Sequence, residues 1–228
     1  MNELWLSHAR LRRDVDVGAV LARLRPSAET DAPVAPGLRD LVSTLFTGPS
    51  DRRRDFLWRE EGCDRLTTLS ARPPTPRTEL FETRSRAIAL RLAAGDRLGF
   101  TLRASPMVAR PGGCGHRGER YDVVMDALQA MPRDSGLEAR LCGVTVAGRE
   151  WLARQGRRRG FEVEPCLRTD GYRPVGFRRE DGTRARFSQL NLSGSVVVTD
   201  PALFVPALLS GFGRAWALGY GLMLIKRA

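Results

Sequence analysis

Leu209-Ser-Gly-Phe-Gly-Arg-Ala-Trp-Ala-Leu-Gly-Tyr-Gly-Leu-Met-Leu-Ile225 lies near the C-terminal end of the sequence. Gly211, Gly213, Gly219 and Gly221 stand in two pairs around a short polar turn, and the apolar run Leu222 to Ile225 behind them suits a buried strand. Glycine at this density lets the backbone take positive φ, approach a ligand and turn N–H groups toward an anion. The segment therefore reads as a glycine-rich loop entering a last strand, and the rest of the chain can be parsed backward from it.

Immediately before it, Pro201 to Leu209 reads as a helix and Leu190 to Thr199 as a strand. Val175 to Phe187 reads as a hairpin turning at Asp181-Gly182, a dipeptide suited to a two-residue turn. Phe161 to Leu167 suits a strand. Thr145 can cap a helix running to Arg159 with Ala147, Trp151 and Leu152 inward and Gly160 ending it. Its other face carries Arg149, Arg154, Arg157, Arg158 and Arg159. Tyr121 to Met131 suits a short helix, and Ala109 to Arg120 has no apolar period and reads as a cationic loop.

The first half repeats the plan. Leu4 to Leu11 suits a strand, Asp16 to Leu24 a helical turn and Pro26 to Pro36 a loop. From Pro36 a helix is expected, because Leu38, Leu41, Val42, Leu45 and Phe46 follow helical spacing. Phe56 to Glu60 and Leu66 to Ala71 read as strands joined by a turn at Gly62, followed by prolines from Pro73 to Pro76. Ala87 to Leu92 and Leu98 to Ala104 read as a strand pair around Gly95-Asp96. Both halves approximate strand–helix–strand–strand–helix–strand. The expected fold is α+β, two tandem ferredoxin-like (RRM-like) domains at 1–95 and 96–228.

Composition narrows the partner. Lys+Arg number 37 against 26 Asp+Glu, almost all of the cations arginine, for a net charge of +11. Arginine's planar fork matches phosphate and stacks on bases, so this balance points to nucleic acid. The bland alternative is a genome bias toward Arg, Ala and Gly, which leaves the excess charge unexplained. Cys63, Cys114, Cys142 and Cys166 form no C-x-x-C pair, which argues against zinc and against a disulfide scaffold. No metal or other cofactor is expected, no membrane span is expected, and the chain reads as cytoplasmic. Three cationic features stand out. They are the 109–120 loop, the helix end Arg157-Arg158-Arg159, and the hairpin with Arg178, Arg179, Arg184 and Arg186. A two-stranded arginine ribbon suits duplex RNA, which is recognised largely by shape and phosphate.

These residues resemble the CasE endoribonucleases, the RNA-processing proteins of the CRISPR type I-E Cascade complex. The likeness runs through Leu4-Trp-Leu-Ser7, Asp55-Phe-Leu-Trp-Arg59 and Phe100-Thr-Leu-Arg-Ala-Ser-Pro106. It continues through Gly148-Arg-Glu-Trp-Leu-Ala-Arg154, Gly160-Phe161, Val196-Val-Val-Thr-Asp200 and Gly211 to Leu222, the terminal motif being the most specific. The resemblance implies two ferredoxin-like domains of the RAMP superfamily that bind the hairpin of a CRISPR repeat RNA. It implies metal-independent cleavage 3′ of that hairpin, with the crRNA product kept alongside the other Cascade subunits. It also implies that the Arg178 to Arg186 hairpin lies against the RNA stem.

The chain departs from that family where the chemistry is done. The family's nucleophile is the RNA's own 2′-hydroxyl, commonly assisted by a histidine near the start of the first helix and a tyrosine three residues earlier. Aligned on Leu45-Phe46, those positions hold Arg39 and Pro36, and Trp216 stands where the family often has lysine. The two histidines are His8, read as a structural strand residue, and His116 in the cationic loop. Arg39 and His116 are the catalytic candidates. Arg157, Arg158, Arg178, Arg179, Arg184, Arg186, Gly211, Gly213, Arg214, Gly219 and Gly221 are the RNA-binding candidates. Three functions stay open: a repeat-RNA endoribonuclease with a rearranged site, a silent subunit that holds the hairpin, and an unrelated nucleic-acid-binding ferredoxin-like protein.

Overall fold

The computed structural model describes residues 3–14, 35–46, 55–62, 64–109, 120–178 and 184–227. The expected helical turn at Asp16 to Leu24 and most of the Pro26 to Pro36 loop lie outside them.

The first sheet holds β1 (Leu4–Leu11), β2 (Phe56–Glu60), β3 (Arg65–Ser70) and β4 (Phe81–Ile88) in the order β2-β3-β1-β4, every pair antiparallel. Helix α1 (Ala35–Ser43) and a 3₁₀ turn (Thr44–Phe46) cross between β1 and β2. The expected apolar stripe is the buried one: Leu41, Val42, Leu45 and Phe46 cluster with Ala9, Trp58, Leu66 and Phe81 on one sheet face. Phe46 and Phe56 stack with centroids 4.3 Å apart. Between β3 and β4 the proline-rich stretch stays irregular and is tied back by Thr75 N to Leu45 O at 2.7 Å.

The second sheet orders β11 (Met223–Arg227), β5 (Arg97–Ala104), β10 (Arg184–Val198) and β8 (Phe161–Val163) as β11-β5-β10-β8, again antiparallel throughout, while β6 (Met107–Ala109) and β7 (Arg120–Asp122) form a separate antiparallel pair. Numbered within its own half, each sheet runs fourth, first, third, second. That is the ferredoxin-like split βαβ arrangement, so both halves carry the expected fold. Helices α2 (Val123–Ala130), α3 (Leu137–Arg159) and α4 (Pro201–Ser210) belong to this half, with Trp151, Leu152, Phe204 and Leu208 buried against Leu98, Phe100, Leu102, Leu190 and Leu192. Leu4, Leu57 and Leu69 of the first sheet join that same cluster, so one apolar core spans both halves.

Four expected elements are corrected. The strand placed at Ala87 to Leu92 is β4, Phe81–Ile88; it starts earlier because its polar run Glu82 to Arg86 faces solvent rather than core. Thr145 does not begin a helix: α3 starts at Leu137 after Gly136, and Thr145 Oγ1 bonds back to Leu141 O at 3.1 Å. The strand placed at Phe161 to Leu167 stops at Val163 ahead of Pro165, and pairing resumes in β9 (Arg168–Arg178). The hairpin's second strand and the strand expected from Leu190 are one 15-residue strand, β10, with a register shift between Gln189 and Asn191.

Candidate nucleic-acid interface

The glycine loop follows α4, whose N-cap Asp200 accepts from the amides of Ala202 and Leu203 and whose last carbonyls are met by Gly211 N to Ala207 O at 3.0 Å. Gly211, Gly213, Gly219 and Gly221 take φ of 74°, 81°, 82° and 91°. Two of these positions show why glycine is needed. A Cβ on Gly213 would lie 2.6 Å from the Ser105 carbonyl oxygen, and one on Gly219 would lie 3.0 Å from the Trp58 indole. Ser105 follows β5 and Trp58 lies on β2, so the loop is seated between the two sheets. Its amides are largely used inside the protein: Gly219 N donates to Trp216 O at 3.1 Å and Gly221 N to Arg103 O at 2.7 Å. The expectation that these N–H groups face an anion gives way, for Gly211, Gly219 and Gly221, to a shaping role.

Three cationic elements converge on this loop. Its 3₁₀ turn (Trp216–Leu218) packs against α1, whose Arg39 is exposed, and Arg214 is exposed on the loop itself. The C-terminal end of α3 lies beside the loop's start, presenting Arg157 and Arg158 to solvent. The third arginine of that run turns inward. Arg159 Nη1 donates to Gly211 O at 2.5 Å and Ser210 Oγ at 3.4 Å, with its guanidinium 5.0 Å from the centroid of the Phe212 ring. Burial lowers its pKa, yet a guanidinium remains cationic. Sequence reading had grouped Arg159 with the exposed arginines, because only packing distinguishes it from its two neighbours.

The hairpin is the third element. Strands β9 and β10 pair Arg178 with Arg184 and Gly176 with Arg186, so positions 178, 184 and 186 share one face of the ribbon. Arg179 and the turn at Asp181-Gly182 lie outside the described residues, as does His116. At the base of the ribbon Phe187 meets Tyr220 edge-on at 4.9 Å, and Tyr220 Oη donates to Gln189 Oε1 at 2.9 Å. Burial holds the Tyr220 phenol above its usual pKa. On the other side Tyr172 Oη lies 3.4 Å from Ser188 Oγ and 3.5 Å from Asp122 Oδ1. Tyr220, Gln189 and Arg159 were missed as positioning residues. Only Tyr220 carried a sequence signal, its place between two glycines.

Arg39 is the one catalytic candidate the structure describes, and no described residue of α1 supplies an acid/base imidazole or phenol beside it. His8 sits on β1 with Nδ1 3.2 Å from Thr67 Oγ1. Among the described residues no three His, Cys, Asp or Glu side chains are placed to hold a metal ion, and no helix is long and apolar enough to cross a membrane.

Two ferredoxin-like units with a C-terminal glycine loop seated between them define a tandem ferredoxin-like α+β fold. Within that class the chain belongs to the CRISPR associated protein family, whose sequence model matches residues 4–227. It is similar in fold to Thermus thermophilus Cse3 bound to an RNA representing a pre-cleavage complex, with a TM-score of 0.66, 18% identity and coverage of 98% of this chain and 99% of that one. It is likewise similar to the CRISPR-associated protein Cas6e from Escherichia coli K-12, with a TM-score of 0.58, 18% identity and coverage of 98% and 100%. A chain of a CRISPR RNA-guided surveillance complex matches with a TM-score of 0.56, 17% identity and coverage of 98% and 100%. No curated protein sequence matches this chain.

Proposed function

We propose that the protein binds the stem-loop of a CRISPR repeat RNA and cleaves it 3′ of the stem without a metal, then retains the crRNA as a subunit of a type I-E Cascade complex. The observation that carries this reading is the continuity of β10. The strand that forms the centre of the second sheet projects as one arm of the arginine ribbon, while Tyr220 ties the ribbon's base to the glycine loop. A rigid ribbon held at a fixed angle to Arg157, Arg158 and Arg214 can meet phosphates on a duplex in a defined register. The likeness to Cse3 bound to a pre-cleavage RNA and to a chain of a surveillance complex supports the same substrate and the same kind of assembly.

In the proposed reaction the 2′-hydroxyl next to the scissile phosphate gives its proton to water as its oxygen attacks phosphorus, and the 5′-oxygen leaves and takes a proton from water, giving a 2′,3′-cyclic phosphate and a 5′-hydroxyl. Arg39 and Arg214 supply positive charge to the pentavalent state, and the bound stem orients the attack. Arg39 takes no proton, because a guanidinium stays protonated in proteins. Loss of an acid/base costs roughly 10²–10⁴-fold in rate, so cleavage is expected to be slow. A second reading rests on one observation, the absence of an imidazole from the described part of α1. On that reading the protein holds the hairpin and leaves cutting to another component. Purified protein with its repeat RNA in EDTA separates the two. A single cut at the 3′ base of the stem on a denaturing gel supports cleavage. A shifted, uncut band on a native gel supports holding alone, and no shift overturns both.

A further inference from the structure

We propose that the face of the first sheet turned away from α1 is a second RNA surface, taking the single strand that continues from the bound stem-loop. This rests on the stem-loop reading above. Cross-strand register places Arg59, Thr67, His8 and Arg84 in one row across all four strands of the sheet. The next row is Leu57, Leu69, Leu6 and Arg86. Directly paired residues share a face. Arg59, His8, Arg84 and Arg86 therefore lie on the face of Leu4, Leu57 and Leu69, whereas α1 packs on the face of Ala9, Trp58 and Leu66.

The row begins at the glycine loop. Arg59 Nη1 donates to Thr101 Oγ1 of the second sheet at 3.1 Å, and Arg103 Nη1 donates to Glu60 O at 3.2 Å. The Arg103 carbonyl is the acceptor of the Gly221 amide, so Arg103 links the loop to Glu60, the chain neighbour of Arg59. From there the row runs outward past the exposed His8 on β1 to the edge strand β4, where Arg84 and Arg86 are exposed. Arg10, farther along the face, pairs with Asp64, and Glu82 stands opposite it. Among the described residues, Arg84 and Arg86 make no ion pair or hydrogen bond. Two unpaired guanidinium groups, one row apart and beside a histidine, suit successive phosphates of a flexible strand. No aromatic side chain lies on this face of the described strands. Bases therefore find no stacking platform here, and the contact is expected to be insensitive to sequence.

Arginine on an edge strand also discourages pairing with a second sheet, a role that needs no ligand. The experiment separates the roles with the full-length protein and three RNAs: the stem-loop alone, and the stem-loop with about 12 unpaired nucleotides on its 5′ or its 3′ side, a length within the roughly 4–16 nucleotide sites of single-strand binders. A 2′-deoxy sugar at the scissile position prevents cutting. One of the extensions is expected to tighten binding about tenfold and to steepen the salt slope by about 1.4, at roughly 0.7 per phosphate on a single strand. Arg84→Ala with Arg86→Ala should remove both gains and leave stem-loop binding within about twofold, while Lys at both positions should restore the slope. Extensions that add nothing, or an alanine variant that keeps the gain, overturn the proposal. Should that variant fail to fold, 4-thiouridine in the extension of RNA bound to the unaltered protein must crosslink to β1 or β4, and crosslinks confined elsewhere overturn it. Failure of the unaltered protein to bind the stem-loop alone shows up before any extension is tested, and overturns the stem-loop reading instead.

Discussion

Arg159 and Gly219 show how single residues set the interface without touching a ligand. Gly219 combines a φ of 82° with an indole where its Cβ would be. Gly219→Ala should cost about 1–2 kcal/mol for the left-handed backbone alone, with more from the displaced Trp58. Urea melts read the loss, and RNA affinity measured well below the midpoint shows whether the loop has moved. Arg159 holds Gly211 O and lies over Phe212 with no carboxylate among its bonded partners. Arg159→Ala is expected to destabilise by about 1–3 kcal/mol, the usual penalty for an unsatisfied buried acceptor. It should leave the salt slope of RNA binding unchanged, because this half-buried guanidinium is already engaged by Gly211 O and the Phe212 ring. A flattened slope would instead place Arg159 on the RNA. Much at this scale was legible in advance. The glycine spacing announced positive φ, and the helical spacing of Leu41, Val42, Leu45 and Phe46 announced the buried stripe. What spacing does not carry is direction: three consecutive arginines look alike in sequence, and only the last lies over a ring.

Among the elements, the ribbon gains its rigidity from β10. Because the strand is continuous from Val198 to Arg184, a load at the arginine end is transmitted to the central strand of the sheet. The register shift between Gln189 and Asn191 marks where the ribbon leaves the sheet, and there Tyr220 meets it through Gln189 and Phe187. Tyr220→Phe keeps the ring contact and removes the hydrogen bond, a loss of about 1 kcal/mol. It also changes the response to alkali. Burial raises the Tyr220 pKa, so above about pH 10 the folded state holds that proton more tightly than the unfolded chain does. Its stabilising contribution is complete below that pH and is lost as pH rises through the folded value. Urea midpoints taken from about pH 8 to 11 should therefore fall less steeply for Tyr220→Phe than for the unaltered protein. Equal slopes would show that Tyr220 does not titrate with the fold. The elements that escaped sequence reading have a common cause. The strand β4 carries Glu82, Arg84 and Arg86 toward an open face, and α3 begins with Leu137 and Leu141 exposed, so apolar periodicity marked neither boundary.

For the molecule as a whole, a net charge of +11 sets a general attraction for RNA, and placement decides which charges count. The ribbon and the end of α3 present their arginines from separate elements, so their phosphate contacts should act independently if one RNA stem spans both. Arg178→Ala with Arg179→Ala is expected to flatten the salt slope by about 1.8, taking roughly 0.9 per duplex phosphate, and Arg157→Ala with Arg158→Ala by a similar amount. The four changes together should then flatten it by about the sum, near 3.6. A combined slope no flatter than the ribbon pair alone would mean that RNA meets the ribbon and leaves α3 in solvent. That outcome would remove Arg157 and Arg158 from the interface while keeping the ribbon. An unchanged slope in the ribbon pair is the more serious result. It would mean that β10 carries its arginines to something other than the RNA backbone.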